Sequence, residues 1–233
     1  EFGPAAAGRI NERQWLSWGF HIAGEAFDFY FTDSNGNFRY PASGFYSTNM
    51  DGVFVQDGQL YSYVPAANPG VARRDYNPAS PPTLFFPRLN QTRAYRVFLP
   101  RGYEAHPQRR YPLVFFHDGQ NVFDQGSFGT WNAGATLADL QATGQMQEVI
   151  AVALDNVGET RRSDYSPPGD NNGRADQYIR SILEVLKPHI DGGYRTINDA
   201  STTGAIGSSM GGVVSLSMGY DWGDSFRRIG ALS

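Results

Sequence analysis

Two segments of the chain, YPLVFFHD (111–118) and EVIAVALD (148–155), have an unbroken apolar run at their centre. Such runs are typical of strands buried on both faces, which occur in parallel sheets covered by helices. The segment between them, ATLADLQATGQ (135–145), is helix-like, and ADQYIRSILEVLKPHI (175–190) has apolar residues at the helical period. This alternation predicts an α/β fold with a doubly wound, mostly parallel sheet.

The remaining strands of this core are predicted from shorter patterns. AYRVFLP (94–100) alternates, TTGAIG (202–207) precedes a helix that starts at Met210, and RIGALS (228–233) is a last strand. We therefore assign residues 82–233 to the α/β core. Functional residues of such sheets lie at the carboxyl ends of the strands.

Residues 1–81 differ from this core because they are rich in aromatic and turn-forming residues. They predict a small β-rich extension and a linker. NERQWLSWGF (11–20) predicts a short helix, and GVFVQDGQLYSYVP (52–65) predicts two strands around an Asp57-Gly58 turn. NPGVARRDYNPASPP (68–82) predicts a Pro-rich linker.

Composition excludes several classes of function. The net charge is −4 without a block of like charges, which argues against nucleic acid or an anionic membrane as a partner. No apolar run is long enough to predict a membrane span. The chain has no cysteine, which excludes disulfides and thiolate catalysis and favours an exported protein, periplasmic or extracellular, while a cytoplasmic one stays open. We expect no metal and no cofactor.

The turn GSSMG (207–211) fits the G-x-S-x-G pattern with Ser209 at its centre. Ser208 does not fit, because Ile206 and Met210 stand where glycines would be needed. A nucleophile elbow places the serine in a strained strand-to-helix turn, so small neighbours are required, and the N–H of Met210 becomes an oxyanion donor. The alternative is a Gly-rich turn with a capping serine.

A second donor is expected after an earlier strand. Asp118-Gly119 predicts a tight turn that directs the N–H of Gln120 into the site, and the alternative is a plain Asp-Gly turn. His117 lies beside this turn. We interpret it as a hydrogen-bonded supporting residue rather than the catalytic base.

Five segments together resemble the Putative esterase family of α/β-hydrolases over residues 82–233. They are TRAYRVFLPRGYE, YPLVFFHDGQNVFD, VIAVALDN with RRSDYSP, YIRSILEVLKPHIDGGYRT, and TTGAIGSSMGGVVSLSMG with FRRIGALS. The family includes enterochelin esterases, S-formylglutathione hydrolases, feruloyl and acetyl xylan esterases, and antigen 85 mycolyltransferases. The resemblance implies an α/β-hydrolase fold, Ser209 as nucleophile, and the N–H groups of Met210 and Gln120 as the oxyanion hole.

The resemblance also implies that the segment from Arg161 to Tyr165 forms a loop bordering the substrate pocket. The predicted pocket residues are His117, Asp118, Arg161, Asp164, Tyr165 and Ser208. The expected function is a serine carboxylic-ester hydrolase that acts through an acyl-enzyme on a small-molecule or carbohydrate-linked ester. An acyltransferase, or a non-catalytic binding or structural protein on the same scaffold, remains an alternative.

The catalytic acid and histidine have no match in this chain. The family places both after the strand that RIGALS matches, and no histidine follows Ser209. A strand that is apolar on both faces would also be exposed as a sheet edge. We therefore expect a C-terminal segment that supplies acid, histidine and the last strands of the core, and we expect residues 1–233 alone to be nearly inactive.

Overall fold

The computed structural model describes residues 70–143, 145–170 and 172–233, together with seven short strands between residues 17 and 61. The chain forms two compact units, Glu1–Pro69 and Gly70–Ser233. Residues 70–81, which the sequence assigns to the linker, belong to the second unit.

The described part of the first unit consists of short antiparallel strand pairs. Strand β6 pairs with β7 with Gln56 opposite Gln59, as predicted for strands that flank a two-residue turn. Strand β1 pairs with β6, so the helix predicted for residues 11–20 is wrong at Ser17 and Trp18, where strand pairing overrides local propensity. The rest of that predicted helix lies outside the described residues. The strands are β1 (Ser17–Trp18), β2 (Phe27–Phe29), β3 (Phe31–Thr32), β4 (Arg39–Tyr40), β5 (Tyr46–Thr48), β6 (Val53–Gln56) and β7 (Gln59–Tyr61).

The second unit is built on one seven-stranded sheet. Its order is β14–β13–β11–β12–β10–β8, and β9 also pairs with β10. Strands β12, β11, β13 and β14 are mutually parallel, whereas β10 is antiparallel to β12, β8 and β9. The strands are β8 (Arg73–Arg74), β9 (Thr83–Phe86), β10 (Gln91–Leu99), β11 (Leu113–Phe116), β12 (Ile150–Leu154), β13 (Thr203–Ser208) and β14 (Arg228–Leu232).

The two apolar runs are the central strands β11 and β12, and every residue of β12 is buried. Helices cover both faces, which confirms the doubly wound, mostly parallel α/β class. One face packs against α1, and the other packs against α3, α4, α5 and the π-helical turn Ile182–Leu186 that joins α3 to α4. The helices are α1 (Ala133–Ala142), α2 (Arg161–Tyr165), α3 (Ala175–Ser181), α4 (Lys187–Gly193) and α5 (Met210–Asp221).

A fully buried ion pair joins α2 to the sheet. Arg93 of β10 contacts Asp164 of α2, and neither side chain is exposed. Asp164 also accepts hydrogen bonds from Arg174 Nε at 2.7 Å and from Thr160 Oγ1 at 2.7 Å. The Arg93 guanidinium lies 5.3 Å from the centre of the Tyr178 ring. Desolvation of these charges is offset only while all partners are present, so the network fixes α2 in one position.

We predict that Asp164→Asn lowers the free energy of unfolding by ~3–5 kcal/mol, because it leaves the Arg93 charge buried without its counter-ion. Urea unfolding measured by circular dichroism checks this. Glu184→Gln is the matched control: it breaks the exposed pair with Arg88, whose bonds are 2.7 and 2.8 Å, and should cost less than ~1 kcal/mol. Equal losses in the two variants would contradict the buried-pair argument.

Candidate active site

Parallel pairing of β11 with β13 brings two turns to the same edge of the sheet. Phe116 is paired with Ile206, and the N–H of His117 donates to the carbonyl of Ile206 at 3.1 Å. Since both strands run in the same direction, the segments that follow them leave side by side. The Asp118-Gly119 turn and the Ser209 turn therefore meet at the carboxyl ends of the strands.

Ser209 occupies a strained turn between β13 and α5. Its backbone has φ 53° and ψ −126°, a region that residues other than glycine rarely adopt. Its N–H donates to the carbonyl of Leu232 at 2.9 Å, and its own carbonyl accepts from Val213 at 3.1 Å. Ser209 is exposed, while the flanking Ser208 and Met210 are half-buried. This geometry is that of an elbow which presents a serine to solvent at the N-terminus of a helix.

Glycines on both sides allow this turn to close. A Cβ on Gly207 would lie 2.5 Å from the carbonyl carbon and oxygen of Gly211, and one on Gly212 would lie 2.8 Å from the carbonyl oxygen of Leu232. Gly211 faces the neighbouring turn, because its Cβ would lie 3.2 Å from Asp118 Oδ2 and 3.4 Å from the Cβ of His117. The glycine requirement inferred from the motif thus has a steric cause at Gly207, and Gly211 lies in tight contact with the neighbouring turn.

The turn after β11 is equally constrained. Asp118 has left-handed backbone angles, φ 57° and ψ 46°, and Gly119–Asn121 form a 3₁₀ turn. A Cβ on Gly119 would lie 2.7 Å from the carbonyl carbon of Leu154, so only glycine fits against β12. The Gln120 side chain accepts a hydrogen bond from the N–H of Asn156 at 3.2 Å. The first N–H groups of such a turn have no acceptor within it, so they are free to bind an anion.

The Asp118 carboxylate is held by two residues that follow β12. Arg161 donates from Nε to Oδ1 and from Nη2 to Oδ2, both at 2.7 Å, and Asn156 Nδ2 donates to Oδ1 at 2.6 Å. Burial opposes ionisation of Asp118, but the bonds from Arg161 and Asn156 and the Arg161 charge hold its pKa below the ordinary value. The same hydrogen bond raises the pKa of Arg161. Both groups are therefore charged at neutral pH.

His117 is 1% exposed and lies beneath the two turns. Its Nδ1 is 2.9 Å from Tyr178 Oη, and its Nε2 is buried without a hydrogen-bond partner among the described residues. The pKa of His117 is lowered to about 4, mainly by burial; the charge of Asp118 opposes this shift and the charge of Arg161 adds to it. His117 is neutral at physiological pH.

The other predicted pocket residues differ in their exposure to solvent. Asp164 and Tyr165 are fully buried, and Arg161 is half-buried. Tyr165 Oη accepts a hydrogen bond from the N–H of Asp118 at 3.2 Å, so it supports the turn from beneath. Their role as pocket residues stays a prediction.

Three residues around the site were not singled out from the sequence. Tyr178 contacts His117, Asn156 contacts Asp118, and Arg93 anchors α2. Arg93 is a charge within an alternating strand, and that position was the only signal that could have marked it. Tyr178 fits the apolar period of its helix, which hides the role of its hydroxyl group.

The described part of the chain has neither a helix that could span a membrane nor a side-chain cluster that could hold a metal ion. Its helices do not combine the length and apolarity that a membrane span needs. Within the same residues, no three acidic, histidine or cysteine side chains are grouped in a way that could hold a metal ion.

Comparison with known proteins identifies the family. The model of the Putative esterase family matches residues 87–233, and the chain belongs to this family. The resemblance inferred from the five sequence segments is thereby confirmed. Among curated proteins, an uncharacterized protein of Bacillus subtilis, YbbA, is 23% identical over 150 residues, which are 60% of this chain and 56% of that protein.

Solved esterases and hydrolases share the fold. An IroE-like serine hydrolase from Shewanella oneidensis has a TM-score of 0.52 and 25% identity, over 66% of this chain and 48% of that one. A ferulic acid esterase of Anaeromyces mucronatus has 0.51 and 24%, over 69% and 57%. Enterochelin esterase from Shigella flexneri has 0.51 and 21%, over 70% and 36%. The match therefore spans 36–57% of the length of these relatives.

We predict that Gly207→Ala destabilises the protein by about 3 kcal/mol or more, because the added methyl group meets backbone atoms that cannot move aside. Thermal unfolding measures the loss. Gly192→Ala is the control, since a Cβ there meets nothing within 4 Å and α4 should gain up to ~1 kcal/mol. A stable Gly207→Ala protein would show that the turn is less constrained than described.

We also predict that His117 makes the fold acid-sensitive. Its pKa is about 4 when folded and 6.5 ordinarily, so the unfolded chain binds the extra proton and stability falls as pH drops from about 6.5 to 4. The loss is on the order of 3 kcal/mol. Burial raises the pKa of Asp155 to about 6, which acts in the opposite direction over the same window.

The measurement is therefore the difference in unfolding free energy between the wild type and His117→Gln at several pH values. Asp155 contributes equally to both proteins and cancels. The difference should shrink as pH falls from 6.5 to 4, and a difference independent of pH would contradict a neutral buried His117.

Proposed function

We propose that this protein is a serine carboxylic-ester hydrolase with Ser209 as its nucleophile. The observation that carries the proposal is the backbone of Ser209, which is exposed and held at φ 53° between β13 and α5. Strain of this kind costs ~1–3 kcal/mol and persists where function requires it. Membership of an esterase family supports the same reaction class.

The oxyanion hole consists of two backbone N–H groups from the two adjoining turns. Met210 is the first residue of α5, so its N–H has no acceptor within the helix. Gln120 contributes the second N–H from the 3₁₀ turn after β11. Both would donate to the oxygen that becomes negative when Ser209 attacks the ester carbonyl, and the positive end of the α5 dipole favours that charge.

The general base and its acid come from chain outside these 233 residues. A serine hydroxyl is a weak nucleophile without an adjacent base. His117 is a poor candidate because burial lowers its pKa to about 4 and Tyr178 occupies its Nδ1. The relatives extend beyond the part that matches this chain, and this additional length has room for the base and its acid.

The substrate we propose is a small-molecule or carbohydrate-linked ester. Among the proteins with this fold are a ferulic acid esterase and an enterochelin esterase. An exported location, inferred from the absence of cysteine, fits such substrates. Water resolves the acyl-enzyme in a hydrolase, whereas another alcohol would do so in a transferase.

A non-catalytic scaffold protein is the competing interpretation. The strained backbone of Ser209 argues against it, because a site without turnover has no need to maintain that strain. A Cβ on Gly207 or Gly212 would lie within 3.0 Å of backbone atoms, which supports an intact elbow.

We predict that a fluorophosphonate probe labels the full-length protein at Ser209 and that Ser209→Ala abolishes both labelling and ester turnover by a factor of at least ~10³. Mass spectrometry of the labelled peptide and p-nitrophenyl acetate hydrolysis are the measurements. Ser208→Ala is expected to retain the label. Labelling that survives in Ser209→Ala would disprove the assignment of the nucleophile.

A further inference from the structure

Two residues of α2 form hydrogen bonds with Asp118 from the same side. Arg161 and Tyr165 are four residues apart, so they lie on the same face of that helical turn. Arg161 binds the Asp118 carboxylate through two 2.7 Å bonds, and Tyr165 Oη accepts from the Asp118 N–H at 3.2 Å. The Arg161 guanidinium lies 5.2 Å from the centre of the Tyr165 ring. The side chain and the backbone of Asp118 are thus fixed by one short element.

The backbone of Asp118 needs such support. It is the residue that reverses the chain between β11 and the 3₁₀ turn, and its left-handed angles determine where the N–H of Gln120 points. A non-glycine residue in this region persists when its surroundings over-determine it. The bonds from Arg161 and Asn156 to the carboxylate provide that determination.

Asp118 also touches the nucleophile turn. Its Oδ2, which accepts from Arg161 Nη2, is 3.2 Å from the position that a Cβ on Gly211 would occupy. A displaced carboxylate would therefore disturb both turns that supply oxyanion donors. The hydrogen-bonded pair of Arg161 and Asp118 therefore influences both turns.

The helix that carries Arg161 is itself anchored. Asp164, between Arg161 and Tyr165, is bound in the interior by Arg93, Arg174 and Thr160. This anchorage prevents α2 from following a movement of Asp118.

We propose that Arg161 is a positioning residue for the oxyanion hole. Arg161 holds Asp118 in its left-handed conformation and so directs the Gln120 N–H at the developing oxyanion. The proposal rests on the proposed function. Because the effect arises in the transition state, Arg161 acts on kcat much more than on KM.

The test compares Arg161→Gln and Arg161→Lys with wild type in the full-length protein, with kcat expressed per fluorophosphonate-titrated site. We expect Arg161→Gln to lower kcat by roughly 10–100-fold with KM changed by less than about threefold, since removal of an oxyanion donor itself costs about 10²–10³. Arg161→Lys keeps the charge but not the two-bond geometry and should fall between. Arg88→Gln removes the two-bond pair with Glu184, which is exposed, and should leave both constants unchanged.

A double-mutant cycle with Asp118→Asn tests whether Arg161 acts through Asp118. Asparagine tolerates left-handed angles, so Asp118→Asn can keep the backbone conformation of this position while it weakens the bond to Arg161. We expect the combined variant to be no slower than the slower single variant, which is the non-additivity of a shared pathway. Additive losses would show that Arg161 acts on the substrate or elsewhere, and would overturn the proposal.

The remaining outcomes also distinguish a positioning role of Arg161 from a role in folding alone. If titrated Arg161→Gln keeps its kcat while fewer sites titrate, Arg161 serves only folding and the proposal is wrong. If Arg161→Gln does not fold, a wild-type kcat in Arg161→Lys contradicts the proposal and a reduced kcat at unchanged KM supports it. If the wild type itself shows no Ser209-dependent turnover, the proposed function fails and this inference fails with it.

Discussion

The parallel pairing of β11 with β13 is the interaction on which the site depends. It places the end of each strand beside the other, so that a turn after one can contact a turn after the next. The contact is so close that a Cβ on Gly211 would lie 3.2 Å from Asp118 Oδ2 and 3.4 Å from the Cβ of His117. A sheet with these strands apart, or antiparallel, would separate Ser209 from the residues that are proposed to stabilise its transition state.

Buried charge gives this arrangement its rigidity. Arg93 and Asp164 are fully buried, at a desolvation cost that a hydrophobic pair would avoid. What the pair provides is a directional attachment, because guanidinium and carboxylate fit one another in few geometries. It fixes α2 to β10, and α2 in turn holds Asp118. Apolar packing alone allows helices to slide more readily than such a network does.

The central strands could be predicted from the sequence because burial on both faces leaves a local trace, as in the run Ile150–Leu154. The strand-to-helix turn at Ser209 could be predicted because such a turn needs small residues at fixed positions. The ion pair of Arg161 and Asp118 joins residues that are far apart in the chain, and no local pattern in the sequence indicates such a contact. For the same reason the sequence predicts a linker at Arg73–Arg74, which pairs with β10, and a helix at Ser17–Trp18, which pairs with β6.

His117 shows why proximity to the proposed nucleophile does not make a catalytic base. A base must accept a proton at the working pH, and a pKa of about 4 leaves His117 too weak to do so efficiently near neutrality. Raising that pKa would require water or a carboxylate at Nε2, which is buried without a partner among the described residues. Its bond to Tyr178 instead ties the end of β11 to α3. The same burial that makes His117 a firm support under the two turns therefore disqualifies it from the proton transfer that the proposed reaction of Ser209 requires.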